Sequence, residues 1–391
     1  MNDYIFEIQA SNIADSNNLL MRLWATFLKE GKIGWQYTPH KQGSVIFVGF
    51  IFVHQLSISY EVNFEVKADN VVQKVIFKRQ DEKKLTDEEI EYLTKIDSER
   101  KLIKKQIFYV QVQFIISSFR GIKYFYPFGD TNMTMYCIDD KQYLDFSMKG
   151  FCQEQIFEQV LEIFEKIASL LSIQTNSTIE IQKVCFVNNL AKLEKNISSI
   201  TQDDEDWMDD YPLIDSHFIL PEYAKNLLKN IIAQTNSKKL NILLRASHHF
   251  KHSLMLHQKQ MQTELIVAQF MSSIEALAEL EDYSKKVCSS CNQKVFSIQK
   301  RVLLLLRQEF PVHLVDIFKN FYEIRSRYLH EGKLTQFREY TGISLPQVSK
   351  SPKRGCENYQ CMFPMINLIE WIGWFMRKKQ KKIAINIMEM T

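Results

Sequence analysis

Near residue 220 the hydrophobic pattern of this chain changes period, and that change limits its fold more than any other feature. Between Val45 and Val187 the apolar residues come largely in short runs rich in valine, isoleucine and phenylalanine, alternating in places; from Pro221 to Lys382 they recur at intervals of three and four. Alternation lines one face of a strand, whereas three-and-four spacing lines one stripe of a helix. The chain is therefore expected to fold as an α+β N-terminal domain over residues 1–195, an acidic linker over 196–215, and an all-α helical bundle over 216–391. At 391 residues, 46% of them hydrophobic and 24% charged, it has material for two real cores.

In the first half, Tyr4 to Ile8 alternates like a short strand, and Asn17 to Lys29 spaces Leu20, Leu23, Trp24 and Phe27 like an amphipathic helix. Val45 to Val53, Leu56 to Val66 and Val71 to Phe77 predict a meander of three strands, with a turn at Ala68-Asp69-Asn70. Lys83 to Lys105 is charged, opens on a capping signal at Thr86, and reads as a solvated helical insertion. Strands are expected again at Ile107 to Ile116, Tyr143 to Met148 and Ile179 to Val187. A helix is expected at Gln153 to Leu171, with Phe157, Val160, Leu161, Phe164 and Ile167 on its buried face. The aromatic stretch Lys123 to Asp130 has the chemistry of a base-stacking platform, but packing in a core or at a sheet edge is the commoner use of such residues. The role of this half is left open among a sensor, a regulatory module and an RNA-binding module.

The formal net charge is +3, so there is no global basic field, and any contact with nucleic acid must use a local patch. The opening Met1-Asn2-Asp3-Tyr4 lacks the charged-then-apolar pattern of a secretory leader, and the apolar run Val45 to Leu56 is too short to span a bilayer and contains Gly49 and His54. A cytoplasmic protein without a membrane partner is expected. The acidic stretch Gln202 to Pro212 fits a solvated linker; a second use would be to compete for a basic groove and so gate access to RNA.

Seven cysteines, an odd number, argue for free thiols. Cys137, Cys152 and Cys185 stand singly among apolar neighbours and read as small buried side chains. Cys288 with Cys291, and Cys356 with Cys361, form two close pairs. Two pairs of thiolates would complete a closed structural zinc site, and four ordinary reduced thiols are the alternative.

Six helices are expected beyond the linker: one starting at Pro221, then Leu240 to His257, Met261 to Asp282, Ser297 to Phe310, a helix from Val312, and Met362 to Lys382. A glycine-rich phosphate loop and a nucleophile elbow are both missing from the sequence, which removes the commonest nucleotide-hydrolase and acyl-transfer signatures. His248 and His252 stand one turn apart, where they would reach one metal, but packed or solvated histidines are the commoner case. The helix from Val312 holds the sharpest signal. Leu314, Phe318 and Phe321 form its apolar stripe, and Arg325 continues that stripe, placing a guanidinium where another apolar residue is expected. His330 follows five residues later, and Gly332 suits the left-handed position that ends a helix.

Tyr322, Arg325-Ser326, His330 and Gly332, preceded by Ile274-Glu275-Ala276-Leu277 on an earlier helix, resemble the HEPN superfamily in its Apea-like branch, whose mark is an R-x4-H motif late in a helical bundle. The resemblance covers roughly the last 170 residues. It implies an endoribonuclease needing no metal for catalysis, in which the RNA 2′-hydroxyl attacks its own phosphate and leaves a 2′,3′-cyclic phosphate and a 5′-hydroxyl. DNA, lacking that hydroxyl, would be spared. Arg325 would stabilise the charge growing on phosphate, and His330, near the negative end of a helix, would protonate the leaving oxygen. Ser326 and Glu275 would support them, Glu275 by orienting Arg325. Five helical residues separate two side chains by about 140°. The resemblance accordingly implies a homodimer whose motifs face each other across one cleft. By association it implies a toxin or anti-phage effector; a non-catalytic HEPN protein that binds RNA or acts as a scaffold is the alternative. The basic run Arg377 to Lys382 offers a track for RNA phosphates, although a charged helix end explains it as simply.

Overall fold

The computed structural model describes residues 2–118, 120–193, 208, 211–281, 298–332, 346–348, 356–358 and 365–388. Its contacts divide the chain into two compact units, Met1–Tyr109 with Ser147–Val160, and Val110–Phe146 with Leu161–Thr391. The division expected at 196–215 falls inside the second unit, and most of that stretch lies outside the described residues. The coarse expectation is met: antiparallel sheets occupy the N-terminal part and helices dominate the C-terminal half.

In the first unit, β1 (Asp3–Glu7), α1 (Ile13–Glu30), β2 (Ile33–Gln42), β3 (Val45–Val53), β4 (Ile58–Val66), β5 (Val72–Arg79) and α2 (Asp87–Arg100) follow in order. The strands form one antiparallel sheet in the order β1-β5-β4-β3-β2. Phe6, Phe27, Tyr60, Val62, Val75 and Phe77 are fully buried in a single apolar cluster with Leu23. The sequence pattern passed over β2. It is an edge strand, mostly exposed from Trp35 onward, so one face never acquires the apolar alternation that marks a half-buried strand.

Helix α2 corrects the expectation of a solvated insertion. Leu93 and Ile96 are buried within the core cluster, and Arg100 donates to the carbonyl of Glu7 at 2.8 Å. The capping box is present, with Thr86 and Glu89 satisfying each other's backbone N–H groups. Glu89, 1% exposed, also accepts from Tyr60 Oη at 2.8 Å and Arg79 Nη1 at 2.9 Å. Burial pushes its carboxyl up, but the hydrogen bonds from Thr86, Tyr60 and Arg79 outweigh burial and hold it below its ordinary range. A carboxyl held low in the fold stabilises above its unfolded value, and the contribution is lost as pH falls through the folded value. Glu89→Gln should therefore lower the melting temperature at neutral pH, and the gap to wild type should close on acidification below the usual glutamate range, as read by thermal melts across a pH series.

In chain order, the next elements are β6 (Gln106–Ser117), β7 (Tyr124–Phe125), β8 (Phe128–Gly129), β9 (Met133–Ile138), β10 (Lys141–Gly150), α3 (Gln153–Thr175) and β11 (Thr178–Val187). They give a sheet in the order β11-β6-β10-β9-β8. Then come β12 (Leu213–Ile214) and β13 (His217–Phe218), which join β7 in a small sheet. The aromatic stretch at Lys123 to Asp130 supplies β7 and β8 and buries Phe125 and Phe128, so packing accounts for those two rings. On α3 the buried face runs through Ile156, Val160, Ile163, Phe164 and Ile167, while Phe157, expected inside, is 39% exposed. The helices are α4 (Glu222–Ile232), α5 (Lys238–Gln258), α6 (Thr263–Leu277), α7 (Ile298–Leu306), α8 (Val312–Glu331) and α9 (Met365–Met388). A two-stranded pair, β14 (Pro346–Val348) and β15 (Cys356–Asn358), precedes α9.

Helix α9 packs on the turn between α3 and β11 through a buried polar network. Arg377, 2% exposed, donates to the carbonyl of Ile173 at 2.9 Å, to Asn176 Oδ1 at 3.3 Å and to the carbonyl of Met208 at 3.3 Å. Glu370 accepts from Asn176 Nδ2 and Tyr211 Oη, each at 2.8 Å, and from Arg120 Nε at 2.8 Å. Gly373 makes room for this approach, since a Cβ there would stand 1.9 Å from Asn176 Oδ1. Gly373→Ala should destabilise the protein by about 1–3 kcal/mol, measured by denaturant unfolding, because a buried hydrogen-bonded amide must move to admit the methyl group.

Candidate functional site

Helix α8 starts after Pro311, whose fixed φ suits a helix entry, and buries Val315, Phe318, Phe321, Tyr322 and Ile324. Its partner α6 buries Ile266, Phe270, Ile274 and Leu277, and the two helices pack together. Arg325 comes one turn beyond Phe321 on the stripe facing that contact, so its guanidinium meets α6 rather than open solvent. There it meets Glu275: Arg325 Nη2 lies 2.6 Å from Glu275 Oε2, with the two side chains 15% and 22% exposed. The contact is an ion pair rather than an aligned hydrogen bond, since neither Arg325 Nε nor Glu275 Oε2 finds a hydrogen-bond partner. The guanidinium also lies over the Tyr322 ring, 5.4 Å from its centroid.

Tyr322 shows what surrounds it. Burial and the nearby Glu275 carboxylate push its phenol up, while Arg325 and Arg301 pull it down. Arg301 of α7 is therefore close enough to act on the same ring, a neighbour that sequence reasoning missed. It stands beside the apolar run Val302 to Leu306, and no motif spacing ties it to α8.

His330 lies in the last turn of α8, as the sequence predicts, and Gly332 ends the helix in the left-handed conformation (φ 62°), donating its N–H to the carbonyl of Tyr328 at 3.2 Å. His330 is exposed and Ser326 half-buried. Glu275, Tyr322 and Arg325 are thus brought together, while His330 points about 140° away around the helix axis. One copy of the motif presents a paired guanidinium and, separately, a solvated imidazole.

The other candidate groups sort differently. Within the basic run, Arg377 is consumed by the buried network, and Lys379 and Lys382 both reach Glu309 Oε1, at 3.2 and 2.6 Å. His248 Nδ1 is 3.3 Å from Glu165 Oε1, and His249 Nδ1 is 2.8 Å from Gln269 Oε1. The rings of His248 and His252 are stacked with centroids 6.4 Å apart. Among the described residues, no group of three or more histidine, cysteine, aspartate or glutamate side chains is placed to hold a metal ion. Cys288, Cys291 and Cys361, together with the Cys356 side chain, lie outside the described residues, so the zinc expectation does too. Cys137, Cys152 and Cys185, expected to be buried, are half-buried free thiols. Among the described residues, no helix is long and apolar enough to cross a membrane.

Compared with known proteins, the chain matches no family model, no curated protein and no solved structure.

The Glu275–Arg325 pair carries a stability prediction. Glu275→Ala leaves a mostly buried guanidinium without its counter-charge and should destabilise by about 1–3 kcal/mol in denaturant unfolding. Glu275→Gln, which keeps the shape and one acceptor, should cost less.

Proposed function

We propose that the C-terminal helices form an HEPN-like endoribonuclease whose chemistry is carried by Arg325 and His330. The observation that supports this most is the state of Arg325. A permanently charged group sits in the apolar stripe of α8, clamped by Glu275 and stacked on Tyr322, yet with an edge left in solvent. A guanidinium needed only for solubility would sit on the outer face of the helix, and one needed only for packing would be replaced by leucine at no cost in charge burial.

In this mechanism the RNA 2′-hydroxyl gives up its proton to solvent water and its oxygen bonds to the adjacent phosphorus as the bond from phosphorus to the 5′-oxygen breaks. Arg325 offers its planar fork to the non-bridging oxygens, where negative charge accumulates. His330 gives its proton to the departing 5′-oxygen. Glu275 and Tyr322 fix the guanidinium plane, and Ser326 adds a polar group one residue along. Because Arg325 and His330 of one copy diverge around the helix, the complete site requires a two-fold homodimer in which a second α8 faces the first. The N-terminal unit then has the role of a regulatory or sensing module, and the biological setting is a toxin or anti-phage effector.

A second reading is a non-catalytic HEPN-like protein that binds RNA or acts as a scaffold. The same ion pair favours it, since Glu275 already occupies the guanidinium that phosphate would need.

Cleavage of a labelled, structured RNA in EDTA separates the two. The endoribonuclease predicts cyclic-phosphate and 5′-hydroxyl ends from wild type, and no cutting of DNA of the same sequence. His330→Ala should slow cleavage by about 10²–10⁴-fold, the usual share of general acid catalysis. Arg325→Ala should lose a comparable factor. Absence of cleavage by a folded wild-type dimer would favour the scaffold.

A further inference from the structure

The outer face of α8 carries a cation to which the chemistry above gives no part. Arg327 comes three residues before His330, so the two side chains are about 60° apart around the helix axis, whereas Arg325 diverges from His330 by about 140°. Residues three apart are neighbours on a helix surface, with Cβ atoms about 5–6 Å from each other. Arg327 and His330 are both exposed, on the side of α8 opposite the buried Phe318, Phe321 and Tyr322.

Arg327 also differs from Arg325 in what it touches. Arg325 is engaged by Glu275 and lies over the Tyr322 ring. Glu323 stands four residues before Arg327, the spacing and order in which glutamate and a cation pair well along a helix. Yet among the described residues Arg327 makes no ion pair, hydrogen bond or ring contact, with Glu323 or with any other group. Its guanidinium stands in water as a planar fork of donors matched to phosphate oxygens. An anion arriving at Arg325 must compete with Glu275; one arriving at Arg327 competes with water alone.

Proton transfer from His330 to a departing oxygen requires the phosphate to lie against the outer face of α8, near its C-terminal end. A phosphate held there has Arg327 within reach. Lys319, also exposed on α8, stands eleven residues before His330, about 16 Å away along the axis, and is too distant to share it.

We propose that Arg327 is a substrate-binding residue that takes a phosphate of the RNA strand and holds it beside His330 of the same copy. The solvated guanidinium next to an exposed imidazole stands on its own geometry; RNA as the ligand and His330 as the acid rest on the nuclease reading above. The two arginines then divide the work. Arg327 grips the strand throughout, and Arg325 acts on the charge that grows in the transition state.

The test is fluorescence anisotropy with a labelled single-stranded oligoribonucleotide across a salt series, on the full chain carrying His330→Ala. In that background Arg327→Gln should weaken binding at least about threefold and reduce the slope of log affinity against log salt by about 0.7, the share of one phosphate contact on a single strand. Arg327→Lys, which keeps the charge, should retain the slope, and Lys319→Gln, which removes the same charge two turns away, should change neither quantity. Wild-type affinity and slope with Arg327→Gln, an equal loss with Lys319→Gln, or no binding of the strand at all would overturn the proposal. Cleavage kinetics with His330 restored separate it from the nuclease reading. There Arg327→Gln should raise KM by a similar factor and leave kcat within about twofold, the mark of a contact made equally in ground and transition states, while Arg325→Ala lowers kcat. Arg327-dependent binding without cutting by wild type removes the nuclease and leaves the phosphate contact; cutting with an unaltered KM in Arg327→Gln removes the contact alone.

Discussion

A guanidinium with almost no access to water, Arg377, lies in the second unit, and the arrangement around it depends on its being solvated by protein. The Ile173 and Met208 carbonyls and the Asn176 side chain accept from it, and Glu370 draws Asn176, Tyr211 and Arg120 into the same network. A charge in such a place is tolerable only when it is hydrogen-bonded and electrically compensated, so the turn at Asn176, the segment at Tyr211 and helix α9 are coupled to one another. The adjoining Gln174 and Gln380 side chains extend the coupling by bonding to each other. Gly373 then becomes obligatory, because the Asn176 amide fills the space a side chain would take.

Arg325 answers the same physical problem with a different solution. It too stands where the helix pattern calls for an apolar side chain, but it is matched by one carboxylate and one aromatic face and retains some exposure. The difference matters for chemistry. Arg377 faces carbonyls that are part of the fold, whereas the partner of Arg325 is a single side chain on a neighbouring helix, of the kind a phosphate would rival. The proposed chemistry therefore centres on α8.

Local signals were legible where the physics is local. The Thr86 capping box, the Gly332 helix end, the Asn70 turn and the Phe318 and Phe321 stripe of α8 depend on residues a few positions apart, and each is found as read. The R-x4-H spacing was visible for the same reason. Other features were not. Strand β2 is an edge with no buried face to leave a pattern. Helix α2 looked solvated because its many charges hide Leu93 and Ile96, and because Glu89 and Arg100 are charges that find partners inside the unit. Arg301 carries no spacing that links it to Tyr322.

By itself the sequence determined the period of each segment, and with it the change from strands to helices, the caps and turns, and the placing of Arg325 and His330 on one helix near its end. All of these follow from backbone geometry and nearest-neighbour sterics, which a stretch of ten or twenty residues carries within itself. Only the tertiary structure decided which charges are spent. The run Arg377 to Lys382 reads as five cations interrupted by Gln380, yet Arg377 is locked into the core, Lys379 and Lys382 converge on Glu309, and Lys378 lies over the Trp374 ring. Likewise Glu275 and Arg325, fifty residues apart, become partners because α6 and α8 pack face to face. Pairing of charges is set by distance in space and by the water excluded around them, and neither quantity exists until the helices have assembled.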